Sequence, residues 1–126
     1  MLLYTILVAS LVLLFALGIT NTAYKEAVLS SSARDAGYSF FAADSGAECG
    51  LYLAVGTGIS CLGCNKDQNG IISCTDFNIV DTGGKQYCVI VTHDPILNRI
   101  ESRGYNVDCN NINSPRSVER AIRVTY

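Results

Sequence analysis

From Met1 to Ile19 the chain reads MLLYTILVASLVLLFALGI, apolar and without a charge. It then turns mixed, with Lys25, Glu26, Arg34, Asp35, Asp44 and Glu48 set among Ala, Leu, Phe and Tyr. At a rise of about 1.5 Å per residue the first stretch is long enough to cross a hydrocarbon core of ~30 Å. No proline occurs before Pro95, so the pattern predicts one very long helix ending near Ala54. In its second half Ala33, Ala36, Phe40, Ala43, Ala47 and Leu51 recur at intervals of three and four and share a face. Such a stripe needs a partner surface, either the chain's own downstream residues or neighbouring helices.

Beyond the helix the period changes. Two glycines in Val55-Gly56-Thr57-Gly58-Ile59-Ser60 end the helical stretch. Ile71 to Ser73, Phe77 to Val80, Gln86 to Thr92, Arg99 to Tyr105 and Val118 to Tyr126 read as strands, with Asp81 to Gly84 a turn, Asp94-Pro95 a break and Asn110 to Pro115 a polar loop. The expected fold class is α+β. A long N-terminal helix, its apolar half protruding, packs its second half on a small antiparallel meander of about four strands. The sheet is expected to cover the Phe40 and Leu51 side, and the chain divides into residues 1–24, 25–54 and 55–126.

Six cysteines, Cys49, Cys61, Cys64, Cys74, Cys88 and Cys109, lie outside the apolar segment. In a head of about 70 residues they point to an oxidising compartment and disulfides that support a thin core. Of the possible pairings the sequence selects none, although Cys49 is placed to tie helix to loop. Cys61-Leu62-Gly63-Cys64 is half of a zinc site by spacing, but Cys74 and Cys88 lie too far apart to supply the second half. Residues 65–76 match an EF-hand loop in part, with Asn65, Asp67, Asn69 and Asp76 at ligand positions and Gly70 at the sixth. The competing reading is a β-hairpin with Asn69-Gly70 at its tip; calcium is the one cofactor the sequence raises, and no other metal is expected.

The net charge of -2 is unevenly spread: residues 99–126 hold five Arg against three acids, and the rest four Lys and Arg against eight acids. A basic final segment suits DNA contact, while arginines on solvent-facing strands and subunit interfaces are the simpler reading. Catalytic chemistry has little to build on. The single histidine, His93, adjoins Asp94-Pro95, Ser30 to Ser32 lie on the helix, and Gly-x-Ser-x-Gly, HExxH and phosphate-loop motifs are all absent. A non-enzyme is expected.

The apolar opening helix, then Tyr38, Phe41-Ala42-Ala43-Asp44-Ser45-Gly46 and Glu48-Cys49, resembles the type IV pilin family, in particular the PilX-like pilins of candidate-phyla bacteria. Ser102-Arg103-Gly104-Tyr105-Asn106 and Val118-Glu119-Arg120-Ala121 resemble the closing strands of those proteins. The resemblance implies a subunit that starts in the inner membrane, is trimmed by a prepilin peptidase, is methylated at its new N-terminus and is assembled by the pilus machinery. The product is an extracellular homopolymeric filament, a fimbrium used in cell adhesion or motility. Met1, Leu2, Leu3, Thr5, Ile6, Val8, Leu11, Leu14 and Phe15 would pack its core, numbered from the processed end. Moving from lipid to a bundle of identical helices keeps the same surface away from water.

Two departures from the family pattern sharpen the reading. The family glutamate at the fifth position is Thr5 here, which leaves a hydroxyl rather than a carboxylate to accept from a neighbour's N-terminal amine. This favours a minor pilin or pseudopilin that primes a pilus or secretion system. The family's proline near position 22 is also missing. In its place stands a run of poor helix formers including Gly18, Thr20, Asn21 and Thr22, which weakens the helix by roughly 2 to 3 kcal/mol relative to alanine. Residues 18–23 are expected to unwind in an assembled filament. A monomeric membrane-anchored binding domain is the third reading.

Overall fold

The computed structural model describes residues 1–126. Helix α1 (Leu2–Val55) is followed by β1 (Ser60–Cys61), β2 (Cys64–Lys66), β3 (Ile72–Cys74), β4 (Phe77–Val80), β5 (Gln86–Asp94), β6 (Arg99–Tyr105), a 3-10 turn (Cys109–Asn111) and β7 (Glu119–Thr125). This is the α+β layout of one long apolar-started helix and small antiparallel sheets. The chain divides into two units, Met1–Arg34 and Asp35–Tyr126, taken one at a time below.

Met1–Arg34 is helix throughout from Leu2, and every residue of it is exposed. Its hydroxyls turn back on the helix: Thr5 Oγ1 donates to the Leu2 carbonyl and Ser10 Oγ to that of Leu7, each at 2.8 Å. An apolar environment therefore meets no unpaired hydroxyl hydrogen at these positions.

In Asp35–Tyr126 the order β4-β5-β6-β7 is a meander of antiparallel neighbours, and β1-β2-β3 form a second, smaller sheet. Register places Val89 opposite Gly104 and Ser102 opposite Ile122, and alternation sends Tyr87, Val89, Val91, Ile100 and Ser102 into the core. The helix meets them with Ser39, Ala42, Ala43, Gly46, Ala47, Cys49, Gly50 and Leu53. This corrects the expected covered face. Ala43 and Ala47 are buried, but Phe40 and Ala33 are exposed and Leu51 is only half-buried against the core.

The reason is distance between backbones. A Cβ on Gly104 would run into the Ser39 carbonyl and the Ala42–Ala43 backbone, and one on Gly46 would meet Ser102 and Val89. Where a sheet lies this close to a helix, small side chains are selected over large apolar ones.

Three disulfides staple the unit: Cys49–Cys61 from helix to β1, Cys64–Cys74 across β2 and β3, and Cys88–Cys109 from β5 to the 3-10 turn. Their sequence separations of 12, 10 and 21 residues correspond to about 3 kcal/mol each in the chain-entropy account. Strand β2 is the first arm of the hairpin expected around Asn69-Gly70, whereas β1 was not expected. Leu62 and Gly63 both have positive φ, 43° and 82°, which makes the Cys61–Cys64 connection a two-residue primed turn.

Candidate functional site

The residues assigned to filament-core packing all sit in the first unit. Leu2, Leu3, Ile6, Val8, Leu11, Leu14 and Phe15 are 40 to 80% exposed, and Met1 and Thr5 are exposed with them. At about 100° per residue these positions surround the helix. A helix apolar on every side is built for lipid or for the inside of a bundle, whereas a soluble domain needs one stripe. Residues 2–19 extend for about 27 Å, and the helix has the length and composition to cross a membrane. Thr5, its hydrogen committed to the Leu2 carbonyl, keeps lone pairs that can accept from an amine.

Gly18, Thr20, Asn21 and Thr22 are helical in the single chain. Thr20 Oγ1 donates to the Ala16 carbonyl at 2.8 Å and Thr22 Oγ1 to that of Gly18 at 3.1 Å. Such back-bonding slightly weakens helices, and the segment is nonetheless intact here.

In the second unit the EF-hand-like stretch is a β-hairpin. Lys66 pairs with Ile72 and Cys64 with Cys74, which is the hairpin reading of this stretch, and the loop is flanked by strands rather than helices. Asp67 Oδ1 accepts from the Asn69 and Ile71 amides at 2.9 and 2.7 Å, and Gly70 takes φ 81°. That carboxylate oxygen organises the turn, and Asn65, Asn69 and Asp76 are exposed. The Cys61-x-x-Cys64 pair is divided between two disulfides, which removes both thiolates from zinc.

The same turn is built again at Asp81-Thr82-Gly83-Gly84-Lys85. Asp81 Oδ1 accepts from the Gly83 and Lys85 amides at 2.8 and 2.9 Å, and Gly84 has φ 78°. The Tyr87 hydroxyl donates to Asp81 Oδ2 at 3.0 Å. The Lys85 amide, with Tyr87 next, holds the Asp81 carboxyl below its usual range. Burial, with Asp81 beside it, pushes Tyr87 up to about 12. Tyr38 stacks on Tyr87 at 4.9 Å, and Lys85 Nζ lies over both rings at 5.1 and 5.4 Å while pairing with Asp35 at 3.9 Å. The sequence reading missed this cluster; the Asp-x-x-Gly spacing shared by the two hairpins is the signal that locates half of it.

On the outer face of β6 and β7, Arg123 and Arg103 converge on Glu101, at 2.7 and 3.0 Å. Arg123 first and Arg103 second hold the Glu101 carboxyl below its usual range. Neither Arg120, Asp44 nor Glu48 has an ion-pair partner. His93 Nε2 is 2.7 Å from the Tyr126 hydroxyl. Comparison with protein-family models, curated proteins and solved structures gives no match.

Proposed function

We propose that this chain is a type IV pilin-like structural subunit. It enters the membrane through residues 1–24, is trimmed by a prepilin peptidase and methylated at Met1, and is assembled with copies of itself into an extracellular filament for attachment or motility. The observation that carries this reading is that the apolar half of α1 is fully uncovered and apolar all round, while the second half of the same helix is committed to a disulfide-stapled sheet. Lipid before assembly, and identical half-helices after it, supply the missing surface at little hydrophobic cost.

Thr5 favours a second reading within the same class, a minor or priming subunit. Its hydroxyl offers the incoming amine a neutral acceptor, roughly half as strong as a carboxylate. Electron microscopy of material sheared from cells producing the chain, with mass spectrometry of the filaments, tests both. Filaments composed mainly of this chain, methylated at Met1, are the expected result. The chain as a trace component of another subunit's filament selects the priming role. Confinement to the membrane fraction as a monomer overturns both and leaves an anchored binding domain.

A further inference from the structure

Strand register brings four of the six cysteines to one place. Cys61 stands opposite Cys64 across β1 and β2, and Cys64 stands opposite Cys74 across β2 and β3. Direct antiparallel partners project from the same face of a sheet with Cα atoms about 4.5 to 5.5 Å apart, so these three side chains form one row. Cys49 reaches the end of the row from α1, and all four cysteines belong to the same packed cluster. Cys88 and Cys109 stand outside it, on β5 and the 3-10 turn.

Cys64 therefore has a cysteine neighbour on each side, and both spacings fall within the range that a disulfide spans. Its bond to Cys74 uses one of them. The other, Cys61, is held by Cys49 and is released when that bridge opens. The bridge is open to attack, because Cys49 and Cys61 both line a surface cavity of about 330 Å³. Cys61 is half-buried whereas Cys49 is 3% exposed, so an incoming thiolate meets Cys61 first. Cys49 is then the leaving group. Its sulfur lies 2.9 Å from the Cys61 carbonyl oxygen, an acceptor already in place for the hydrogen of a buried thiol.

We infer that Cys49–Cys61 is a thiol-exchange site for dithiol reductants, and that Cys64 passes its opening across the small sheet. A thiolate of the dithiol attacks Cys61 Sγ and forms a mixed disulfide; the bond to Cys49 breaks, and Cys49 leaves with the electron pair and is protonated. The second thiolate of the reductant attacks the reductant's own sulfur in that mixed disulfide, closes a cyclic disulfide and releases the Cys61 thiolate. Cys61 Sγ then attacks Cys64 Sγ. The Cys61–Cys64 bond forms, the Cys64–Cys74 bond breaks, and Cys74 leaves as a thiolate and is protonated. One dithiol is oxidised, and the chain, reduced by two electrons, exchanges two bridges for one bridge and two thiols. In that form α1 is no longer tied to β1, while the Leu62-Gly63 turn is closed by a bridge of its own. The inference goes beyond the filament reading and does not depend on it.

The test adds one equivalent of dithiothreitol to the folded, detergent-extracted chain. Free thiols are trapped with iodoacetamide, and alkylated and bridged cysteines are located by mass spectrometry. Singly reduced chains should carry alkylated Cys49, with the second alkylation divided between Cys61 and Cys74. Since Cys64 has two equivalent neighbours, the form alkylated at Cys49 and Cys74 should make up about a tenth or more of them. Trapping at successive times should show the Cys61 thiol first and the Cys74 thiol later. Alkylation confined to Cys49 and Cys61, or a Cys74 thiol that precedes that of Cys61, overturns the transfer through Cys64. Alkylation of Cys64 and Cys74 with the Cys49–Cys61 bridge intact overturns the point of entry. Thiols at Cys88 and Cys109 overturn the inference as a whole, because they place the most accessible bridge outside the row.

Discussion

Residues 1–34 and residues 35–55 belong to one unbroken helix and solve the burial problem in opposite ways. The first stretch carries large apolar side chains on all sides from Leu2 to Ile19 and covers none of them. The second hides mostly small ones: Ser39, Ala42, Ala43, Gly46 and Gly50 are buried while Phe40 and Phe41 are exposed. Hydrophobicity alone therefore does not identify which face of a helix is inside. A close-packed sheet selects side chains by size, whereas lipid or a helical bundle selects them by polarity.

Substituting a glycine on each side of that divide gives the widest separation. Gly104→Val places a side chain into the helix backbone at Ser39 and Ala42–Ala43, which no rotamer change relieves, and should destabilise the head by about 3 kcal/mol or more. Gly18→Ala meets nothing within 4 Å and should only firm the helix, by about 1 kcal/mol. Thermal melts of the two variants in detergent make the comparison. Similar melting temperatures would show that the close approach at Gly104 is unimportant.

Leu11→Asp reverses the pattern. A carboxylate at mid-span costs about 3 kcal/mol of membrane insertion, so the chain should shift out of the membrane fraction. The head, which holds all three disulfides, should melt as wild type. A fall in head stability, or unchanged membrane partitioning, would break the assignment of separate tasks to the two stretches.

Polarity patterns carried most of the architecture into view. The long helix, its end near Val55, and strands β3 to β7 follow from an uncharged run, a proline-free interval and period-two segments between turn residues. The sheet-facing side of α1 did not follow, because glycine and alanine give a hydrophobicity pattern no reason to place them inside. β1 was hidden for another reason. A two-residue strand, Ser60–Cys61, is too short to show alternation, and the turn that follows it uses Leu62 where Asn or Gly is the usual signal. Of the candidate site, the apolar half was legible as a continuous run. The Arg103–Glu101–Arg123 network depends on cross-strand register and was not.

Titration separates the two regions again, since every shifted group lies in the head. The Glu101 and Asp81 carboxyls are depressed in the folded chain. Their stabilisation is therefore present above the ordinary carboxyl range of about 4 and is lost as pH falls through the lower folded values. Tyr87 is raised to about 12. Its contribution is complete below the ordinary tyrosine value of about 10 and disappears as pH rises from there toward 12. Near-ultraviolet circular dichroism of the head should fade at both extremes. The acid limb should flatten in Glu101→Gln; an acid limb unchanged in both Glu101→Gln and Asp81→Asn would remove these carboxyls from the account.

The smallest effect concerns the turn that the sequence concealed. Leu62 is half exposed and held at φ 43° between Cys61 and Cys64, a left-handed conformation that costs an ordinary side chain roughly 1 to 2 kcal/mol. Asparagine tolerates it, and Asn-Gly is the preferred pair for this turn. Leu62→Asn loses some apolar contact but relieves the backbone, so the head should gain about 0.5 kcal/mol and melt a few degrees higher. The gain should persist under reducing conditions, because it arises in the turn and not in the flanking disulfides. A lower melting temperature would mean that the Leu62 side chain contributes more through packing than its backbone loses.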